Sequence, residues 1–416
     1  MLQCSETLPP FATLVMAPPH AVPGRTIALN HMHIDIADLV RRSHAMARAA
    51  TGLGSAPSGD GALREVPGFG NDPGNLRMLE FVPESLPPGA PLVVALHGCT
   101  QTAGAYDRGT GWSTLAARQR FALLLPEQRP TNNANRCFNW FEPAHTARDR
   151  GEAASIQQMV AHMVARHRLD PKRVFVTGLS AGGAMTSVML ATYPESFAAG
   201  AIIAGLPYGA AQSAAEAFEA MAIGRPRPAA DWAEAVRRAS PHPGPWPRVA
   251  VWQGDADTTV RPANAQEILK QWRALHGLDA APETGTALSP SHSLEVWRGP
   301  DGRAVLEHHA ITGLAHGVPI APGQGEAALG EAAPFILDAD LSSTEAIAGF
   351  FGLDQPPRAG SWLERVITVG RDGIAHLLPH ASAPTRPAEA PPPAAAHAGP
   401  GAIIRRTLRA AGLLDR

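Results

Sequence analysis

Residues 174–183 read Val-Phe-Val-Thr-Gly-Leu-Ser-Ala-Gly-Gly, and this stretch restricts the fold more than any other. Val174 to Thr177 is a short apolar, β-branched run of the kind that makes a buried parallel strand. Gly178-Leu179-Ser180-Ala181-Gly182 follows at once, and a helix-compatible run from Gly183 to Leu190 comes next. Strand, sharp turn and helix in that order make a nucleophile elbow with Ser180 at its tip. Side chains at 178 and 182 would collide with the adjoining strand and helix, and glycine removes them. The bland alternative is a glycine-rich turn capping a helix, with Ser180 as an ordinary polar residue. The remaining sequence has to decide between the two.

A chain of 416 residues with 45% hydrophobic and 17% charged residues is long enough for one large α/β domain plus extensions. Its formal net charge of −2 argues against a nucleic-acid partner. No apolar run approaches the roughly 20 residues needed to span a bilayer. The three cysteines, Cys4, Cys99 and Cys137, include no C-x-x-C pair and are too few for a disulfide scaffold. The N-terminus lacks a positively charged start and is broken by Pro9 and Pro10, so no convincing secretory signal is read there. On that ground a cytoplasmic location is favoured over export. Oligomeric state is not legible.

Residues 1–62 read as an extension with one helix, Asp35 to Ala50, and His31 and His33 there as a solvated pair rather than metal ligands. From Leu63 onward strand-like and helix-compatible runs alternate. Strands are expected at Arg77–Pro83, Pro91–His97, Phe121–Pro126, Arg173–Thr177, Ala199–Ala204, Arg248–Trp252, Ser293–Trp297 and Val305–Thr312. Helices are expected at Thr114–Arg120, Glu152–His167, Ala184–Thr192, Ala263–His276 and, last, Ala333–Phe351. The alternation implies an α/β fold, a mostly parallel open sheet with helices on both faces and its chemistry at the carboxyl ends of the strands. Residues 208–247, with helical pieces at Ala214–Met221 and Ala230–Ser240, read either as a cap inserted into the domain of residues 63–354 or as a peripheral connection. Residues 355–416 read as a Pro/Ala-rich linker closed by a short amphipathic helix.

A serine hydroxyl needs a base to take its proton and an acid to orient that base. This architecture supplies them in the order Ser, Asp or Glu, His. The loop after Trp252 carries Asp255 and Asp257, of which Asp257, nearer the loop tip, is the preferred acid and Asp255 the alternative. The loop after Thr312 carries His316 between Gly313 and Gly317. His308 and His309 are rivals, but they lie inside an expected strand, where successive side chains point to opposite faces. For the oxyanion hole, the amide after the nucleophile is that of Ala181, and the loop after Leu96-His97-Gly98 offers the amide of Cys99. Cys99 as a nucleophile is the weaker reading, because the elbow already supplies one.

Leu96-His-Gly-Cys-Thr-Gln101, Gly109-Thr-Gly-Trp112, Pro126-Glu-Gln128, Cys137-Phe-Asn-Trp-Phe141, Gly178-Leu-Ser-Ala-Gly-Gly183 and Ala204-Gly-Leu-Pro-Tyr-Gly209 together resemble the esterase family of polyhydroxybutyrate depolymerases. That family is in turn similar to feruloyl and acetylxylan esterases. Covering about residues 63–350, the resemblance implies an α/β-hydrolase fold, carboxylic ester hydrolysis without a cofactor, and the roles given above to Ser180, Asp257, His316 and Cys99. It also implies an ester substrate, small or polymeric. Secreted members commonly carry a signal peptide and a separate polymer-binding domain; neither is read here, so attack on crystalline polyester outside the cell is not expected. Trp140 and Gln101 are the candidate substrate contacts, with a core position as the alternative for Trp140. Pairing of Cys99 with Cys137 is left open. It would tie the Asn132–Phe141 loop to the oxyanion loop, and it requires Cα atoms within about 7 Å. Beside the depolymerase reading stand a carbohydrate esterase and, from another class, a catalytically silent binding protein on the same fold.

Overall fold

The computed structural model describes residues 60–353 except 279, 280, 326 and 327, together with the backbone of two short strands farther on. The expected helix at Asp35–Ala50, the His31/His33 pair and the expected C-terminal helix lie outside the described residues.

The order begins with β1 (Arg64–Glu65), β2 (Arg77–Phe81), β3 (Leu92–Leu96), α1 (Ala103–Thr110), α2 (Trp112–Gln119) and β4 (Ala122–Glu127). It continues through α3 (Pro143–Thr146), α4 (Gly151–His167), β5 (Val174–Leu179), α5 (Ala181–Thr192) and β6 (Ala199–Ile203). Then come α6 (Ala214–Ile223), α7 (Ala229–Ala239), β7 (Arg248–Gly254) and α8 (Ala263–His276). The last elements of this part are β8 (Thr284–Ser289), β9 (His292–Arg298), β10 (Ala304–Ile311), β11 (Val318–Ile320), β12 (Ile336–Asp338) and α9 (Ser343–Phe351). Separately, β13 (Ile367–Val369) pairs antiparallel with β14 (Ala375–Leu377), within the stretch the sequence reads as linker.

The ten-stranded sheet runs β1-β2-β4-β3-β5-β6-β7-β10-β9-β8. Its six middle strands are parallel, and antiparallel pairs close both edges. Alternation along each strand feeds two cores. Leu92, Val94, Val174 and Val176 point to one face, where α4, α5, α7 and α8 pack. Val93, Ala95, Phe175 and Leu179 point to the other, against α1, α2 and α9. Each fully buried valine, leucine or phenylalanine among them contributes about 1.5–3 kcal/mol over leaving it exposed. Phe175 on β5 stacks on Phe351 of α9 with ring centroids 4.7 Å apart, which ties the elbow strand to the last helix.

Capping explains several boundaries. Thr102 accepts from the Ala105 N–H at the start of α1, and Gly111 ends that helix in the left-handed conformation. The final helix is shorter than the sequence pattern implies. Ser342 caps it by accepting from the Glu345 N–H, and Ile336–Asp338 pairs in parallel with β11 instead of joining the helix. Pro334 lies in the loop just before β12, and a proline inside a helical turn would break it. The apolar spacing there mixes a strand with a helix. α6 packs on α8, α7 packs on α8 and α5, and the Met221 carbonyl accepts from the Arg261 N–H, so the last turn of α6 abuts the loop that carries Asp257.

Candidate active site

β5 delivers Ser180 into the turn before α5, where it takes φ 58° and ψ −115°. A non-glycine residue with positive φ is strained, and the surroundings hold it there. The Ser180 N–H donates to the Ile203 carbonyl of β6 at 2.9 Å, and its carbonyl accepts from the Ala184 N–H at 2.8 Å. A Cβ on Gly182 would run into the backbone oxygens of Leu96 and His97, so the start of α5 lies directly against the end of β3. Ser180 is buried with 9% of its surface exposed. No hydrogen bond within the described residues joins its hydroxyl to His316.

Asp257 and His316 meet across two loops. β7 and β10 are neighbouring parallel strands, so the loops that leave them emerge side by side. His316 Nδ1 donates to Asp257 Oδ2 at 2.7 Å. Because a carboxylate only accepts, this bond puts the imidazole proton on Nδ1 and leaves Nε2 as the basic atom. The other carboxylate oxygen of Asp257 accepts from the Thr259 and Val260 N–H groups at 2.8 and 2.9 Å. Gln253 Nε2 adds a bond to Oδ2 at 3.2 Å. Asp257 is 1% exposed, and these four donors fix its plane.

Asp255 is exposed and occupied elsewhere: its carboxylate accepts from the Gly313 N–H at 2.6 Å and pins the start of the His316 loop. The rival histidines also have other partners. His308 Nδ1 pairs with Glu295 at 2.8 Å; His309 pairs with His292 and Glu307 and stacks on Trp252.

Two amides at the junction of β3 and α5 lack acceptors among the described residues. Ala181 is the first residue of a helix whose N-cap makes no side-chain bond, and Cys99 follows β3 in a turn whose other N–H groups are bonded. Orphan amides at a helix start favour negative charge. Cys99 and Cys137 form a disulfide with Cα atoms 4.2 Å apart. The loop carrying Cys137 is held again by Glu152, which accepts from Gln128 Nε2, the Asn139 N–H and Asn139 Nδ2 at 2.7–2.8 Å. Burial pushes the Glu152 carboxyl up to about 7.

Of the two candidate substrate contacts, Trp140 sits in the core, 7% exposed, with its ring edge-on to Phe141. Gln101 uses both ends of its amide inside the protein: Oε1 accepts from the Gly98 N–H and Nε2 donates to the Pro334 carbonyl. Gln253 and Glu152 are network members that the sequence reading did not single out. A glutamine at the end of a strand and a glutamate in the first turn of a helix carry no motif of their own. No group of three or more His, Cys, Asp or Glu side chains among the described residues is arranged to hold a metal, and no helix among them is long and apolar enough to cross a membrane.

The family described as Esterase PHB depolymerase matches residues 81–290. Poly(3-hydroxyalkanoate) depolymerase C of Paucimonas lemoignei is 46% identical over 293 residues, covering 70% of this chain and 70% of that protein. An acetylxylan esterase of Coprinopsis cinerea is 33% identical, over 65% of this chain and 73% of that protein. The solved acetyl xylan esterase of Aspergillus awamori superposes with a TM-score of 0.60 at 28% identity, over 70% of this chain and 100% of that one. With the parallel sheet, the elbow and the hydrogen-bonded Asp257 and His316 in place, these relationships identify the chain as a member of the esterase PHB depolymerase family, a carboxylic ester hydrolase with the α/β-hydrolase fold.

Proposed function

We propose that Ser180, His316 and Asp257 act as the catalytic triad of this esterase within a catalytic unit of residues 63–354, and that its substrates are hydroxyalkanoate esters, as small esters, oligomers or accessible polymer. The observation that carries the triad is the 2.7 Å bond from His316 to a fully buried Asp257. The substrate class follows from the 46% identical depolymerase.

His316 Nε2 takes the Ser180 proton as Oγ attacks the ester carbonyl. Asp257 keeps the proton on Nδ1 and stabilises the imidazolium that forms. The amides of Cys99 and Ala181 receive the developing oxyanion, each worth about 3 kcal/mol in comparable sites. Collapse expels the alcohol, which takes its proton from His316. Water then attacks the acyl-enzyme with the same imidazole as base, and the free acid leaves.

A second reading, a carbohydrate esterase, draws support from the acetyl xylan esterase that superposes over its whole length. A matched panel separates the two: p-nitrophenyl butyrate, 3-hydroxybutyrate oligomers, amorphous polyhydroxybutyrate, acetylated xylan and methyl ferulate, each with wild type and Ser180→Ala. The proposal expects hydroxybutyrate turnover that the substitution abolishes. Preference for acetylated xylan or ferulate would overturn the substrate class, and turnover surviving in Ser180→Ala would overturn the triad.

A further inference from the structure

Ala333-Pro334-Phe335-Ile336 make a tight turn that leads into β12. The Ile336 N–H donates to the Ala333 carbonyl at 2.9 Å, and the Ala333 N–H donates back to the Ile336 carbonyl at 3.1 Å. Proline at the second position holds φ at about −65°. Phe335, at the third, takes φ 65°. That combination is a type II turn, whose third position calls for glycine or asparagine. A phenylalanine there is strained, because its Cβ crowds the backbone in the left-handed region. Glycine would make the same turn without strain.

Contacts from outside hold the turn in place. The Val318 N–H of β11 donates to the Phe335 carbonyl at 2.9 Å, and Gln101 Nε2 donates to the Pro334 carbonyl at 3.3 Å. A Cβ on Gly317 would lie 2.8 Å from the Phe335 carbonyl oxygen, so the turn sits directly on the loop that carries His316. The Phe335 ring meets the His316 imidazole edge to face, with centroids 6.0 Å apart and planes at 74°. Phe335 is partly exposed at that point. A strained residue that the surroundings keep in place beside a catalytic group points to a use for its side chain. The chemistry of His316 says which use. Asp257 occupies Nδ1, so Nε2 is the atom that gives its proton to the departing alcohol. The alcohol oxygen must come within about 3 Å of the imidazole, and its carbon chain runs on past whatever borders that ring. Phe335 borders it, is apolar and is open on one side.

We propose that Phe335 is a specificity-determining residue: its ring forms the apolar wall against which the alcohol portion of the ester lies. The inference rests on the reading of Ser180, His316 and Asp257 as the triad and deepens it by assigning the side on which the alcohol leaves. A 3-hydroxyacyl leaving group, branched at the carbon that bears its hydroxyl, covers more of such a wall than methanol does.

The acyl-enzyme supplies the test, because an added alcohol attacks it from the side by which alcohols leave. In that transfer the bond from the acyl carbon to Ser180 Oγ breaks, a bond to the alcohol oxygen forms, and the alcohol's proton passes through His316 Nε2 to Oγ. Butyryl-enzyme made from p-nitrophenyl butyrate is shared between water and either methanol or butan-2-ol, and gas chromatography reads the initial ratio of butyryl ester to butyrate. In Phe335→Gly the ratio for butan-2-ol is expected to fall about tenfold and that for methanol by less than about threefold, while Phe335→Tyr keeps both within about threefold of wild type. The urea midpoint of Phe335→Gly should lie above that of Phe335→Ala, since both lack the ring and only Phe335→Ala keeps a Cβ at this φ. Equal losses for the two alcohols, an unchanged ratio for butan-2-ol, no transfer to butan-2-ol in the wild type, or a Phe335→Gly midpoint at or below that of Phe335→Ala would each overturn the inference. Should neither small substitution fold, Phe335→Trp takes their place: the selectivity between butan-2-ol and methanol must shift by about threefold or more, and an unshifted selectivity overturns the proposal. Butyryl ester formed by Ser180→Ala would instead bring down the triad reading; an inert Ser180→Ala beside a null result at Phe335 strikes this inference alone.

Discussion

His316 Nδ1 lies 2.7 Å from Asp257 Oδ2, and Gln253 Nε2 reaches the same oxygen at 3.2 Å from the end of β7. The acid is thereby fixed from its own strand before it meets the histidine of the neighbouring one. Held by four donors and shielded from water, Asp257 can accept from the imidazole in one direction, which is what selecting a tautomer requires.

Asp257→Asn should lower kcat by about 10⁴-fold, because an amide facing Nδ1 no longer selects the required tautomer. Asp255→Asn keeps an acceptor for the Gly313 N–H and should stay within about tenfold of wild type. Steady-state kinetics on p-nitrophenyl butyrate read both; an equal loss in the two variants would contradict the assignment of the acid.

The elbow and the parallel sheet were legible because glycine at 178 and 182 and β-branched runs of strand length have few other structural uses. The choice between Asp255 and Asp257 was harder, since both lie in one loop and sequence order alone cannot say which carboxylate turns inward. Asp257 does so because two amides of its own turn hold it, whereas Asp255 reaches across to Gly313. At Ala333–Phe351 periodicity misled: a three-residue strand with too few positions to show a period of two was absorbed into the helix beside it. Gln253 escaped for a different reason. Its part depends on a bond to Asp257 Oδ2 at 3.2 Å, made from the end of a strand where no motif marks a glutamine.

The bridge from Cys99 to Cys137 closes a loop with a sequence separation of 38 residues. Replacing both cysteines with serine should cost about 2–4 kcal/mol of stability. It should also lower kcat, since the bridge anchors the residue whose amide is proposed to hold the oxyanion. Urea unfolding and kinetics on the same preparation check this. An unaltered midpoint together with unaltered kcat would contradict it.

Glu152 predicts the direction of one pH effect. Burial raises its carboxyl to about 7 in the folded protein, above the value near 4.3 of an unfolded glutamate. The folded state therefore binds the proton more tightly. That contribution to stability is complete below about pH 4 and is lost as pH rises through 7. Relative to Glu152→Gln, the wild-type protein should lose roughly 1–3 kcal/mol between pH 4.5 and 7.5. Urea midpoints at several pH values measure the difference, and a relative gain over that window would contradict the burial argument.

The most direct test of Ser180 as the nucleophile is active-site labelling with a fluorophosphonate, followed by peptide mass spectrometry. The account predicts one equivalent of label, located on Ser180, with esterase activity falling in step with labelling and no incorporation in Ser180→Ala. A label found on another residue, or full activity remaining once Ser180 is modified, would contradict it.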